Sequence, residues 1–419
     1  MTFKNISVPY GSGQESFQIP ESSFLKIVLP TDEKTAAVSS DDLIRKALAS
    51  PIGKKKLSES VRPSQKIAVI VNDITRPTPS AYLIPFVLEE LKTAGIPDEN
   101  ITFYFALGLH RAHNEDEIKK ILGEDIFSRF KFAQHEVGSF PVTSFGTTSR
   151  GTPIEIYSDI VENDFIIGIG EVGFHYYAGY SGGAKSLLPG VSSKNSVIAN
   201  HKMMIEKNAV SGRVDSPVRA DLEEAAKIIG LDFILNIVLD SHKNVVAAFA
   251  GDFIEAHREG VKVVDAMYKI PVPAADAVIV SCGGYPKDIN LYQTNKALDN
   301  ATQAVADGGS IILVSECRDG IGNEVYDRWN KSCKTPDDAI ERFKTEFEFG
   351  GHKAATTAAA SKRFDLYLIS SLPDNEVRDA FFEPCDSVED AISRVLSKNP
   401  NARFLVIPYG GQTLPTMDS

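Results

Sequence analysis

The stretch Phe165–His201, FIIGIGEVGFHYYAGYSGGAKSLLPGVSSKNSVIANH, decides how the rest of the chain is read. It starts with a compact apolar run, Phe165 to Ile169, of the length of a buried strand. It passes into a loop dense in glycine (Gly179, Gly182, Gly183), with a second turn at Pro189-Gly190, and ends in a helical pattern carrying His201. Glycines and a Pro-Gly pair at that density mark an ordered loop in which the backbone comes close to something else. A strand, an elaborate loop and a helix in that order form the unit of an α/β fold with a mainly parallel sheet.

The unit recurs on both sides. Upstream, Lys66–Val71 reads as a buried strand that empties into Asn72-Asp-Ile-Thr-Arg-Pro-Thr-Pro79, with a helix at about 80–94 stopped by Gly95. Ile101–Leu107 is a strand followed by the loop 108–113, after which Asn114 caps a helix with Glu117 at capping-box spacing. Residues 1–30 read as short antiparallel strands, and Ser39–Leu48 as a helix capped by Ser39 or Ser40. Downstream, Phe233–Leu239 and Asn244–Ala250 form a pair of strands, and a helix over about 253–268 leads to Pro271 and Pro273, the expected linker. A second run of alternation begins with the strand Ala277–Ser281 and the loop Cys282–Asp288. Its helix, about 289–306, carries Tyr292 and Lys296 one turn apart on one face. Strands are expected at 310–315, 365–369 and 403–407, and helices near 336–347 and 375–382. The expected architecture is two α/β domains with mainly parallel, Rossmann-like sheets, residues 1–270 and 271–419, with an active-site cleft between them.

Composition narrows the function. The 419 residues, 43% hydrophobic and 24% charged, suit two soluble domains with full cores. A net charge of −12 leaves no basic face for nucleic acid or an anionic membrane surface. No apolar run approaches the ~20 residues of a spanning helix, and the N-terminus lacks a signal-peptide layout. The four cysteines (Cys282, Cys317, Cys333, Cys385) are scattered without a C-x-x-C pair, which fits a reducing compartment and provides no thiolate cage for a metal. The expectation is a cytoplasmic protein with neither a nucleic-acid nor a membrane partner.

Asp73 with Arg76, His110, His175, and Tyr292 with Lys296 each follow shortly after an expected strand, the edge where open α/β sheets bind ligands. Lys185 precedes Leu187-Leu188, so its amine is expected to be half-buried; a desolvated lysine loses its proton readily and can act as a nucleophile. Each residue alone admits a plainer reading: Lys185 as a solvated loop lysine, Arg76 as a surface ion-pair partner, His110 as a helix cap, His113 as structural. His201 shares a helix face with Val197 and Met204, the setting of a core histidine. His135, His242, His257 and His352 read as structural or surface. P-loop, G-x-S-x-G and H-E-x-x-H motifs are absent, and Gly179-x-x-Gly-Gly lacks the spacing and acidic partner of a dinucleotide fingerprint. The residues alone reach a two-domain α/β enzyme with two histidines, one special lysine and cationic anchors for an anion.

The set DITRPTP (73–79), LGLHR (107–111), GFHYYAGYSGGAKSLLPG (173–190), ANH (199–201) and GGYPKDINLYQTNK (283–296) resembles the nickel-dependent lactate racemase family across most of the chain, down to the ten residues from His175 to Lys185 and the sixteen from Lys185 to His201. The resemblance implies a nickel-pincer nucleotide (pyridinium-3-thioamide-5-thiocarboxylic acid mononucleotide) with Ni, covalently attached at Lys185, with His201 completing the nickel coordination. The soft sulfur ligands then arrive with the cofactor. It further implies that Asp73, Gly182, Gly183, Pro189 and Gly190 border the cofactor, that His110 and His175 are the acid–base pair, and that Arg76, Tyr292, Gln293 and Lys296 bind substrate. Residues 1–270 would bind cofactor and carry catalysis, and 271–419 would contribute substrate-binding residues. The implied reaction is racemisation or epimerisation of a 2-hydroxy acid through a 2-keto acid by proton-coupled hydride transfer, with host cofactor-making enzymes as partners. Gln293 stands where lactate-type members are expected to carry a small hydroxyl residue, which points to a hydroxy diacid or sugar acid. Two other readings compete: a zinc hydrolase built on His110, His113 and His201, and a non-catalytic carrier of the nucleotide.

Overall fold

The structure is a computed structural model of the chain and describes residues 2–30, 38–136, 138, 140–240, 242–348 and 350–417. It divides into two compact units, residues 33–267 and residues 1–32 with 268–419.

In the 33–267 unit, Ile67–Asn72 is buried from Ile67 through Val71, because an unbroken apolar run rich in β-branched residues suits a strand covered on both faces. The six-stranded sheet runs, edge to edge, Val245–Gly251, Phe233–Leu239, Phe165–Glu171, Ile67–Asn72, Ile101–Ala106, Lys131–Ala133. Every pairing is parallel except the outer Val245–Gly251 strand, which runs antiparallel to Phe233–Leu239. The chain therefore winds outward in both directions from two adjacent strands, Ile67–Asn72 and Phe165–Glu171. Ligands bind outside the carboxyl ends of strands at such a reversal point. Alternate residues of four strands (Val69, Val71; Phe103, Phe105; Ile167, Ile169; Leu235, Ile237) form one buried face. Leu83, Val87 and Leu91 of the Ser80–Thr93 helix and Ile44 and Leu48 of the Ser40–Ala49 helix belong to the same core. Burying each such side chain contributes about 1.5–3 kcal/mol, which makes this sheet a stiff platform for the loops at its edge. Ser39 and Asn114 cap their helices as expected, Asn114 through a full capping box.

The second unit holds a six-stranded, all-parallel sheet in the order Glu383–Pro384, Asp365–Ile369, Val305–Val314, Ala275–Ser281, Phe404–Ile407, Phe24–Ile27. The N-terminal residues thus group with the C-terminal ones, and not with 33–270 as the sequence suggests. Phe24–Ile27 pairs with Phe404–Ile407, and the antiparallel hairpin Phe3–Tyr10/Gly13–Pro20 places Ile6, Val8, Phe17 and Ile19 in the core with Val388, Ile392 and Val395. The proline segment also departs from expectation. Lys269–Val272, with Pro271, is a strand paired in parallel with Leu414–Met417, and not a linker. Proline is tolerated there because a two-stranded ribbon leaves one side of each strand unpaired. Three further helices, Glu324–Ser332, Gly351–Ser361 and Val388–Lys398, complete the unit; the last buries Val388, Ala391, Ile392 and Val395 at helical spacing. Among the described residues, no helix is long and apolar enough to cross a membrane.

Candidate functional site

Where the strand Ile67–Asn72 ends, Asp73 is buried and organises the residues after it. His110 Nδ1 lies 3.3 Å from Asp73 Oδ2, and Arg76 Nε lies 3.6 Å from the same oxygen. The other oxygen accepts from the Thr75 backbone N–H at 2.7 Å and from the Thr75 hydroxyl. Burial pushes the Asp73 carboxyl up, but the hydrogen bonds from His110 and Thr75 outweigh it and hold the group at about 2. An ionised carboxylate only accepts, so His110 donates from Nδ1, and the tautomer this bond selects for a neutral ring has its lone pair on Nε2, the atom a base uses.

His175 follows the neighbouring strand, in a short antiparallel bridge where it faces Gly179. Its Nδ1 accepts from the Ala178 backbone N–H at 3.4 Å, which places the proton of the neutral ring on Nε2. The ring is half-buried, stacked on Tyr176 and edge-on to Tyr177 at 4.5 Å. Burial first, then the positive charges of Lys185 and Arg76, hold its imidazolium well below the usual range. The two histidines thus present opposite states of Nε2, one a lone pair and the other an N–H.

Tyr177 joins the next two residues. Its hydroxyl lies 2.7 Å from His201 Nε2, and the Lys185 amine lies over its ring, 5.6 Å from the centroid. The Lys194–His201 helix is fixed at its start by Ser193, whose side chain accepts from the Ser196 N–H. Lys185 is half-buried on the single turn Gly183–Ser186. Burial, followed by the charges of Arg219 and Arg76, lowers its ammonium well below the ordinary lysine value, while Glu171 pulls the other way. A neutral amine is the nucleophilic form.

The loop that carries Lys185 is sewn to protein on both sides. A Cβ at Gly179 (φ 73°) would fall 1.8 Å from the Arg213 carbonyl oxygen, and one at Gly182 (φ 72°) would lie 2.7 Å from both Asn236 Oδ1 and the Glu171 carbonyl. Gly183 donates its N–H to Asn236 Oδ1 at 2.8 Å, and Gly190 donates to the Lys185 carbonyl at 3.1 Å. The Gly108 N–H donates to the Gly190 carbonyl at 2.9 Å, and a Cβ at Gly108 would stand in ordinary contact with Pro189, so the His110 and Lys185 loops share a seam.

Four side chains here escape sequence reasoning. Glu171, at the end of the Phe165–Glu171 strand, is 7% exposed and accepts from Asn72 Nδ2 at 2.7 Å. Burial pushes its carboxyl up to about 7, against the opposing charge of Arg76. A lone acid closing an apolar strand is the available signal. Asn236, a single amide within FILNIVL, offers the same kind of signal. Tyr177 sits inside a quoted motif, but nothing in its spacing marks it. Arg219 lies in a helix whose acids and lysine suggest a solvated face, yet it is fully buried.

Glu171 gives a testable pH dependence. Its folded value lies above the unfolded carboxyl value of 4.5, so the folded state holds the extra proton and stability falls as pH rises from about 4.5 to about 7. Glu171→Gln removes that slope. Denaturant titrations at pH 5 and pH 8 are expected to show wild type losing on the order of 3 kcal/mol more than the variant.

His113 is structural: its Nε2 accepts from the Ile74 N–H at 3.1 Å, and its ring packs edge-on against Phe105. Among the described residues, no group of three or more His, Cys, Asp or Glu could hold a metal ion, so His110, His113 and His201 do not form the ligand set of a zinc hydrolase. Tyr292, Gln293 and Lys296 lie in the other unit, on the Leu291–Ala301 helix that follows the Ala275–Ser281 strand. Asn290 caps that helix by accepting from the Gln293 N–H at 3.0 Å. Tyr292 is half-buried, edge-on to Tyr326 and His352; Gln293 is half-buried and Lys296 exposed.

The family described as Lactate racemase N-terminal domain matches residues 10–212, and the Lactate racemase C-terminal domain matches residues 270–413. A lactate racemase of Thermoanaerobacterium thermosaccharolyticum is 33% identical over 417 residues, covering 97% of this chain and 98% of that protein. The lactate racemase of Lactiplantibacillus plantarum is 33% identical over 326 residues, 77% of each. The solved structure of the lactate racemase apoprotein from T. thermosaccharolyticum superposes with a TM-score of 0.81, covering 98% of this chain and 100% of that one. Identity at this level over nearly the full length, on the same fold, shows that the chain belongs to the lactate racemase family of isomerases.

Proposed function

We propose that this protein interconverts the configurations of a 2-hydroxy acid at C2, using a nickel-pincer nucleotide attached at Lys185. The observation that carries the reading is the pair of histidines with complementary Nε2 states at the sheet's reversal point, in the same unit as a lysine biased towards its neutral amine. The chain's own donors fit the cofactor. A neutral amine on Lys185 is the form that makes a thioamide. His201 offers one imidazole, and no protein cluster supplies further ligands among the described residues, so a nickel ion here needs its other donors from the nucleotide. The N–H groups of Gly183 and Gly190 are already donated within the protein, so these two glycines, with Gly182 and Pro189, shape the wall of the cofactor site rather than grip its phosphate.

When bound, the nickel-pincer nucleotide supplies a reversible hydride acceptor. In one direction His110 takes the hydroxyl proton of the substrate on Nε2, and Asp73 stabilises the imidazolium that forms. His175, with its proton on Nε2, serves the other face, and in the reverse direction the two exchange roles. Arg76, steadied by Asp73, holds the carboxylate through its fork, and the second unit's proposed substrate-binding residues are Tyr292 and Lys296. Gln293 favours a substrate with a further polar group, a hydroxy diacid or sugar acid. The host enzymes that make the cofactor are the protein's partners, in the cytoplasm.

The test is a screen of single enantiomers of lactate, hydroxy diacids and sugar acids with cofactor-loaded protein, read by chiral chromatography. At least one is expected to run to its equilibrium mixture, the polar acids faster than lactate. A loaded protein that changes none of them would leave the carrier reading standing and remove the enzyme.

A further inference from the structure

Between His175 and Lys185, four carbonyls of residues 178–182 converge on one side chain from elsewhere. Arg219, on the Pro217–Ile229 helix, is fully buried. Its guanidinium donates to the carbonyls of Ala178 (3.4 Å), Tyr180, Ser181 (3.5 Å) and Gly182 (3.1 Å). His257 adds one bond of its own, from Nε2 to the Ser181 carbonyl at 2.8 Å. Four carbonyls along one turn need a planar fork with several N–H directions, which lysine cannot supply.

The charge of Arg219 is poorly balanced. Its carboxylate neighbour, Glu223, stands 3.7 Å away, and both Glu223 oxygens accept from Arg258, at 2.8 and 2.7 Å. At bonding distance one carboxylate serves two guanidinium groups; the next, Asp265, accepts from the Tyr180 hydroxyl on the same turn. The other charged groups felt at the Lys185 amine are Arg76, after the Ile67–Asn72 strand, and Glu171, at the end of the Phe165–Glu171 strand.

We propose that Arg219 is a positioning residue for Lys185: it fixes the 178–182 turn that delivers the lysine and keeps a positive charge, answered only in part by the shared Glu223, behind its amine. This rests on the reading of Lys185 as the attachment point. A merely structural arginine would hold the loop without setting how readily the amine gives up its proton, and the test separates the two roles.

The experiment is acetylation of the full chain, without cofactor, by acetic anhydride across pH, with the Lys185 peptide quantified by mass against exposed lysines. In wild type the Lys185 midpoint is expected below theirs. Arg219→Met is expected to raise it by about one pH unit or more. Glu223→Gln keeps the fork and its four carbonyls but removes the shared carboxylate, and is expected to move the midpoint down. A folded Arg219→Met with the wild-type midpoint would overturn the proposal. So would a Glu223→Gln midpoint that is unchanged or raised, and this second readout holds even if Arg219→Met does not fold. A wild-type midpoint no lower than that of exposed lysines would instead count against the neutral amine on which the attachment reading depends.

Discussion

Lys185→Ala is expected to leave a folded protein that carries no covalent adduct and interconverts 2-hydroxy acid enantiomers at least ~10³-fold more slowly than wild type, because the proposed activity depends on a group that only this side chain would tether. Lys185→Arg should fail equally. A guanidinium keeps its proton and its charge, so it conserves the shape of lysine without the nucleophile. Stability should move the other way from activity. The Lys185 amine is half-buried near Arg219 and Arg76, an unfavourable place for a cation. Truncating it removes that cost, so the melting temperature of Lys185→Ala should equal or exceed that of wild type. A variant that loses both activity and stability would point to a packing role instead.

The second large effect concerns the two histidines. His110→Ala and His175→Ala should each lower kcat/KM by roughly 10²–10⁴-fold, the usual contribution of a positioned acid or base, while the Lys185 adduct forms as in wild type. For a pair of true enantiomers the equilibrium constant is one. Each variant must therefore lose the same factor in both directions, although the two histidines are proposed to serve opposite faces. Because the equilibrium constant does not depend on the enzyme, the ratio of the two kcat/KM values stays at one in every variant, and unequal losses would mean that the two assays follow different reactions. Unchanged rates in both variants would leave the protein as a carrier. His110→Ala also strips Asp73 of one of the hydrogen bonds that hold its carboxyl at about 2. The stability that Asp73 contributes above about pH 4 is lost as pH falls from about 4 to about 2; in that variant the contribution should be smaller and its loss complete at a higher pH.

Much of this is legible in the chain. Parallel strands buried on both faces leave unbroken apolar runs such as Ile67–Val71, and their carboxyl ends can be read directly, so the sequence alone puts Asp73, Arg76, His110 and His175 at one sheet edge. The partners of those residues are not legible. Arg219 sits in a helix with acids and a lysine, and only tertiary packing shows that this arginine faces inward onto four carbonyls. Glu171 looks like the charged end of a strand, yet the fold closes Asn72 and the glycine turn around it. Gly182 and Gly183 announce a close approach, but only the fold reveals that the neighbour is Asn236. Phe24–Ile27 joins a strand nearly four hundred residues away, a pairing with no local pattern to announce it. Pro271 reads as punctuation because proline usually is, and the ribbon with Leu414–Met417 tolerates it.

The central claim is that the chain works through a cofactor fixed to Lys185 and a nickel ion met by His201. Its most direct test is peptide-resolved mass spectrometry, with metal analysis, on protein co-expressed with the cofactor-making enzymes. The expected result is an adduct confined to the Lys185 peptide and about one nickel per chain, with the nickel lost in His201→Ala. An unmodified Lys185 under those conditions, with zinc or no metal bound, would contradict it.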